Sequence, residues 1–225
     1  SITVDAFGVA NATSGNMYIG GGAGSDVITL SASDNLTASH TIYGGGGADS
    51  INVSGGVSTG TNLMLFGGAG ADDIGVGTWV TGTGAQIAFS ALSDSTVSNI
   101  DEISGEYISG SEVAILLTGA ISGATTGEFN GSNLYVSAGI ATGDSFSAGS
   151  IGSAASLMDV SLNESGQYVI FTQSGSNYLF VQGGASGTSD DLVLEFNSGV
   201  AISGASGLTV KDSGTKIVLD YEASI

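Results

Sequence analysis

Apolar residues between positions 16 and 89 come in short alternating runs, and a glycine cluster cuts each run off. The runs keep a fixed interval. Ile28 and Leu30, Ile51 and Val53, and Ile74 and Val76 recur 23 residues apart, and aromatic residues follow the same interval at Tyr43, Phe66 and Phe89. Alternation with a period of two predicts strands that bury one face. A fixed repeat of this length predicts a solenoid, because one coil has too little apolar surface to stand alone and must stack on its neighbours.

Beyond Phe89 the interval dissolves in SALSDSTVSNIDEISG, and alternation resumes in EVAILLTG, SNLYVSAG, GQYVIFTQ, NYLFVQGG and DDLVLEFN. QYVIFTQ and NYLFVQ joined through SGS predict one hairpin, and LTVK and KIVLDY around DSG predict another. The expected fold is therefore all-β. It comprises an N-terminal capping segment (1–20), a parallel β-roll or β-helix with 23-residue coils (21–89), a connection (90–106) and a C-terminal all-β unit (107–225), sandwich-like or a continued roll.

The glycine clusters are alike: GGAGSDVIT starts at Gly21, GGGGADSIN at Gly44 and GGAGADDIG at Gly67. So much bare backbone makes a turn whose carbonyls can adopt orientations that side chains would obstruct. Each turn also carries one carboxylate at the same place, namely Asp26, Asp49 and Asp72.

Charge narrows the chemistry further. The 225 residues include 21 acids against two bases, Lys211 and Lys216, for a formal charge of −19. Hydrophobic residues make up 41%, which sets the chain apart from charged, apolar-poor disordered sequences. Binding to phosphate backbones draws its affinity from lysine and arginine, so nucleic acid is excluded as a partner and anionic lipid is disfavoured. Cations are what such a chain attracts. No apolar run approaches the roughly 18 residues of a membrane span. The start, SITVDAFGVAN, lacks the basic end and apolar stretch of a signal peptide, so the expectation is an earlier cleavage or another export route. Absence of cysteine permits an oxidising compartment.

All three nonapeptides fit G-G-x-G-x-D-x-U-x, with U a large apolar residue. In this they resemble the RTX class of secreted bacterial calcium-binding proteins, whose repeats form a parallel β-roll. The resemblance implies that the first six positions bind calcium in a turn and that the last three form a short strand with U inward. Carried onto this chain, Asp26, Asp49 and Asp72 are implied ligands, and Ile28, Ile51 and Ile74 are core. The implied ion sites are lined by backbone at Gly21, Gly22 and Gly24, at Gly44, Gly45 and Gly47, and at Gly67, Gly68 and Gly70. Calcium takes six to eight oxygens, many of them carbonyls, which suits such turns. Stacking at a strand spacing of about 4.8 Å would line the aspartates up. Neighbouring carboxylates about 5 Å apart then repel by about 3 kcal/mol at an effective dielectric of about 20. A divalent cation reverses that sign.

The pattern departs from that class in one respect, since 14 residues separate one nonapeptide from the next. Ions are therefore expected on one edge only, with LSASDNLTASHTIY making a plain turn and then the second strand. Two bridging ions are expected, sharing the Asp49 turn, with a third at an open end assisted by Asp73. The segment after Phe89 resembles one that follows calcium repeats in type I secreted proteins. There Asp94, Asp101 and Glu102 either hold a further ion or form a solvated acidic connection, the second being the simpler reading. YLFVQGGASGTSDDLVLEF is similar to the C-terminal parts of RTX surface-layer proteins.

Catalytic groups are scarce. His40 is the only histidine, suited to packing or the surface, and no triad, zinc cluster or phosphate clamp can be assembled without cysteine or arginine. Asp72 with Asp73 and Asp190 with Asp191 are adjacent pairs, and adjacent residues on a strand point to opposite faces, so neither pair is expected to flank one glycosidic bond. Calcium binding or solvation suits both pairs better. Trp79 is expected in core or edge packing, with sugar stacking as the alternative.

The chain is thus expected not to be an enzyme but an extracellular structural protein. It would be a calcium-stabilised, self-assembling subunit of a bacterial surface layer or filament, exported by the type I route that the resemblance implies. Its partners would be copies of itself, with Asp190, Asp191, Glu195 and Asp212 sharing ions across contacts. The alternative is an adhesin or carbohydrate-binding module of a larger secreted protein, with a cell-surface polysaccharide as partner.

Overall fold

The computed structural model describes residues 2–5, 16–31, 39–56, 62–79, 85–107, 111–117, 123–124, 127–128, 135–137, 140–142, 149–162, 164–197, 208–213 and 215–221. These form two β-sheets and, among the described residues, one α-helix. One sheet holds, in spatial order, β1 (Ile2–Asp5), β3 (Val27–Ser31), β5 (Ser50–Gly56), β7 (Asp73–Trp79) and β9 (Asp101–Tyr107). It continues with β17 (Leu192–Phe196), β16 (Ser176–Val181), β15 (Gln167–Gln173), β14 (Ile140–Thr142), β13 (Tyr135–Ser137) and β12 (Gly127–Glu128), and β11 (Gly123–Ala124) pairs with β15. The other sheet runs β18 (Leu208–Ser213), β19 (Lys216–Tyr221), β10 (Ser111–Leu116), β8 (Ala85–Ala88), β6 (Asn62–Ala69), β4 (Ser39–Gly46) and β2 (Met17–Ala23).

Sequence period and strand register coincide. Successive coils place one strand in each sheet, and neighbours pair parallel with Ile28, Ile51, Ile74 and Ile103 side by side. Ile19, Ile42, Leu65, Ile87 and Ile115 form the matching row opposite. Both rows are buried in one core between the sheets, and each such side chain contributes roughly 1.5–3 kcal/mol by leaving water. A slip of one residue would expose a whole row, so the register is strongly held. The linking segments 32–38 and 57–61, expected as plain turns, lie outside the described residues.

Residues expected to act as a connection supply the fifth member of the parallel run, since β9 pairs with β7. Strands on both sides of residue 107 share both sheets: β10 pairs parallel with β8, and β17 with β9. The chain then turns antiparallel, β17 with β16, β16 with β15, and β10 with β19. The two hairpins form in the expected places. In the first, Ser174 and Gly175 both have positive φ, 52° and 92°, as a two-residue hairpin turn matched to strand twist requires.

The C-terminal part is mostly strand, as an all-β fold requires, and carries one short helix that the sequence reading did not foresee, α1 (Ile151–Ser161). Strands β15 to β17 are apolar on both faces, and only one faces the main core. The other, carrying Val169, Phe171, Tyr178, Phe180 and Val193, is covered by Ala154, Ala155 and Met158 of the helix and by Leu162 just beyond it. Ser150 caps the helix, its hydroxyl accepting the Ser153 N–H at 3.2 Å.

Candidate metal centre

Each glycine cluster carries the chain from one sheet to the other, and the three turns stack with Gly22, Gly45 and Gly68 in register. Positions two and four are left-handed in every turn. Their φ angles are 106° and 94° at Gly22 and Gly24, 120° and 116° at Gly45 and Gly47, and 105° and 138° at Gly68 and Gly70, a region side chains avoid. At position one the constraint is space: a Cβ on Gly44 would come within 2.5 Å of both Asp49 Oδ2 and the Gly67 carbonyl oxygen. Position three is open, with nothing within 4 Å of a Cβ on Gly46. Alanine accordingly stands there at Ala23 and Ala69.

So folded, the turns bring their aspartates into a ladder. The Asp26 N–H donates to Asp49 Oδ1 at 2.7 Å, the Asp49 N–H to Asp72 Oδ1 at 2.8 Å, and the Asp72 N–H to Asp101 Oδ1 at 2.9 Å. Their carbonyls accept from the next coil as well, from the N–H groups of Ser50, Asp73 and Glu102 at 2.8, 2.9 and 2.8 Å. At the far end the Asp101 N–H meets Ser95 Oγ at 2.8 Å, and that hydroxyl donates to the Val193 carbonyl at 2.6 Å. A group that both accepts and donates ends the column without a further carboxylate.

In three of these carboxylates one oxygen is left over. Asp49, Asp72 and Asp101 are only 3%, 2% and 0% exposed, yet Oδ2 of each is buried with no hydrogen-bond partner. An orphaned buried acceptor costs about 1–3 kcal/mol, and more when charged. Burial pushes the Asp101 carboxyl up to about 8; the Asp72 N–H opposes this, and the charges of Asp72 and Asp94 reinforce it. Asp72 is raised, first by burial, against the pull of the Asp49 N–H and with help from the charges of Asp49 and Asp94. An open groove of about 340 Å³ runs along the ladder's outer side, where Asp73 and Glu102 join Asp49 and Asp72 in its lining.

Several sequence expectations change here. The open end anticipated after Asp72 is closed by Asp101, so Asp72 as well as Asp49 has an aspartate-bearing coil on each side. Asp73 stays out of the column: it is exposed and pairs in register with Ser50 and Glu102. A solvated role for Asp101 is overturned by its complete burial. Asp94 instead braces a short 3-10 turn at Leu92–Asp94, its Oδ2 accepting the N–H groups of Ser90 and Ala91 at 2.8 and 2.9 Å. Glu102 Oε1 accepts from Asn197 Nδ2 at 2.7 Å.

Asp191 is likewise fully buried and cannot share an ion across a subunit contact; the side chains of Asp212 and Trp79 lie outside the described residues. His40 faces the core beside Met17 and Leu63 in register, 4% exposed, with neither ring nitrogen hydrogen-bonded and its pKa lowered by burial. It is a packing residue.

The column suits a hard, oxygen-seeking cation. Among the described residues no three acidic or imidazole side chains gather as a ligand group, so an ion here would take most of its ligands from turn carbonyls. Calcium, with six to eight oxygens in a flexible arrangement, fits that supply, whereas magnesium's strict octahedron does not. Soft metals lack their ligands, for the chain has no thiol and its single imidazole is buried in the core. No protein-family model, curated protein or solved structure matches this chain.

Proposed function

We propose that residues 21–103 are a calcium-binding β-roll of RTX type, and that the chain is an extracellular, self-assembling structural protein of a bacterial surface layer or filament. One observation carries the calcium reading: three buried aspartates in register, each with one oxygen used by the neighbouring coil and the other without a donor. Asp26, Asp49, Asp72 and Asp101, with the turn carbonyls, would hold the ions. A bound divalent cation supplies the positive charge that the column lacks. The chain's own residues set the spacing, exclude water from the carboxylates and hold the glycine turns open to carbonyl coordination.

Assembly follows from charge. Copies at −19 repel at contact, although salt screens that repulsion beyond about 8 Å. Calcium lowers the charge and stiffens the coils. Millimolar calcium is expected to convert dispersed subunits into ordered sheets or fibres, reversibly by chelation and not by sodium chloride of equal ionic strength. Light scattering with negative-stain microscopy tests this; monomers throughout, in a chain folded by circular dichroism, would sink it.

The adhesin reading has one specific support. Tyr18, Tyr43 and Phe66 form a file of rings on the outer face, at 5.2 and 4.3 Å between centroids, with Tyr18 73% exposed. Rings so arranged can stack on sugars. Loss of polysaccharide retention in Tyr18→Ala, with no change in assembly, would favour that alternative.

A further inference from the structure

A second group of acids lies outside the repeats, where residues 182–191 join β16 to β17. Three carboxylates hold this turn, each by amide hydrogens. Asp191 Oδ1 accepts the Gly183 N–H at 2.8 Å, and Asp190 Oδ2 accepts the Ala185 N–H at 2.8 Å. Asp159, from α1, accepts Gln182 Nε2 at 2.9 Å on one oxygen and the Gly187 N–H at 3.0 Å on the other. The helix is thereby tied to the turn.

Three oxygens in this group remain unused. Asp191 Oδ2, Asp190 Oδ1 and Gln182 Oε1 are all buried without a hydrogen-bond partner. Asp191 is 0% and Gln182 4% exposed. Burial pushes Asp191 up to about 6, against the Gly183 N–H, and the charges of Asp159 and Asp190 push the same way. The backbone repeats the build of the aspartate column: a Cβ on Gly183 would come 2.6 Å from Asp190 Oδ2, and Gly184 has a φ of 114°. The turn is nevertheless separate from the column, because β17 meets β9 with Leu194, not Asp191, opposite Asp101.

We propose that this turn binds one divalent cation of calcium type, through Asp190, Asp191 and Gln182 with carbonyl or water oxygens completing the shell, and that the ion pins α1 to the start of β17. Hard oxygens of mixed carboxylate and amide type are what calcium accepts and what the softer transition metals pass over. The site would secure the place where the parallel run meets the antiparallel strands.

Hydrogen exchange on the full chain, with calcium chloride or magnesium chloride added to metal-free protein, separates this site from the column. Calcium is expected to slow exchange at Gly183, Ala185 and Gly187 at least tenfold, in the natural sequence and equally in the Asp49→Asn/Asp72→Asn variant. Asp191→Asn keeps an acceptor for Gly183 and should abolish the slowing there while leaving the response of residues 44–49 intact. Should Asp191→Asn fail to fold, Asp190→Asn, at a half-buried position, gives the same readout. Unchanged exchange at 183–191 on adding calcium to the natural chain, or slowing that survives both substitutions, overturns the proposal. Slowing at 183–191 without any at 44–49 would leave this site standing and remove the column's.

Discussion

Replacing Asp101 by asparagine separates the two jobs of the aspartate column, since the amide keeps the Oδ1 acceptor for the Asp72 N–H and removes the charge. Asp101 is fully buried, its carboxyl is held at about 8 against an ordinary 3.8, and Oδ2 has no donor. The sign follows from linkage. A carboxyl raised in the folded state binds its proton more tightly there, so its stability contribution is whole below about pH 4 and is lost as pH climbs through about 8. At about 1.4 kcal/mol per tenfold, the full span is roughly 6 kcal/mol at most. Relaxation and water entry around the ionised group reduce what is measured to about 2–4 kcal/mol.

In chelator, therefore, the natural chain should lose stability between pH 5 and pH 9, and Asp101→Asn should lose much less. At pH 9 the variant should be the more stable of the two, by roughly 5–10 °C in melting temperature for a chain of this size. Calcium should reverse the order, stabilising the natural chain strongly and the variant weakly, because the cation needs the charge that asparagine lacks. Urea or thermal unfolding at pH 5, 7 and 9, with and without calcium, provides the comparison. A natural chain whose metal-free stability is flat across that range, or a variant with an undiminished calcium response, would refute the reasoning.

Asp49→Asn and Asp72→Asn should each weaken two inter-coil calcium sites and Asp26→Asn only one, so calorimetric titration that finds three equal losses would contradict the stacking order. Gly45→Ala, with a φ of 120° and the Gly22 carbonyl in its way, should cost upwards of about 2 kcal/mol, whereas Gly46→Ala next to it should stay within about 0.5 kcal/mol; urea unfolding distinguishes them. His40→Leu should stabilise the chain and remove an acid-side loss. Burial lowers the His40 pKa, so its contribution is present above about pH 6.5 and falls away as pH drops, and melting at pH 5 relative to pH 7 should shift in favour of pH 5 in the variant compared with the natural chain.

What was legible in the chain was whatever recurred. Ile28, Ile51 and Ile74 mark the register because core position and turn position repeat together, and the glycines mark the turns because backbone conformation at Gly22, Gly45 and Gly68 admits little else. Asp101 recurs too, as Asp-Glu-Ile at 101–103 after Asp-Val-Ile, Asp-Ser-Ile and Asp-Asp-Ile. It was hidden because its coil is longer, 29 residues from Asp72, and because a 3-10 turn braced by Asp94 replaces the glycines. The helix was hidden differently. Ile151, Ala154, Ala155, Met158 and Leu162 have helical spacing behind a serine cap, but small residues and Gly152 dilute the pattern. The reason for a helix lies elsewhere in the chain, in the second apolar face of β15 to β17.

Length and charge are coupled in this architecture, and Ser95 shows how the coupling ends. Each further coil of the same kind adds apolar burial and also one buried carboxylate whose second oxygen has no donor. Without a cation that oxygen is relieved only by a proton, and Asp101, the most buried of the four, holds its proton to about pH 8. On the proposed calcium reading, proton and calcium would compete for the same atom, and the competition would tilt toward the ion as pH rises through that range. A fifth aspartate would deepen the charge column. The hydroxyl of Ser95 instead accepts the last N–H and donates to Val193, adding no charge and joining the final coil to β17. Ser95→Ala would leave the Asp101 N–H and the Val193 carbonyl both unpaired in a buried place, at about 1–3 kcal/mol each, and Ser95→Asp would restore the N–H contact but add a fifth charge. The expected order of metal-free stability at pH 8 is therefore the natural chain first, with both variants well below it. Calcium should recover the aspartate variant more than the alanine one, and urea unfolding that gives equal recovery would separate the end of the ladder from the charge of the column.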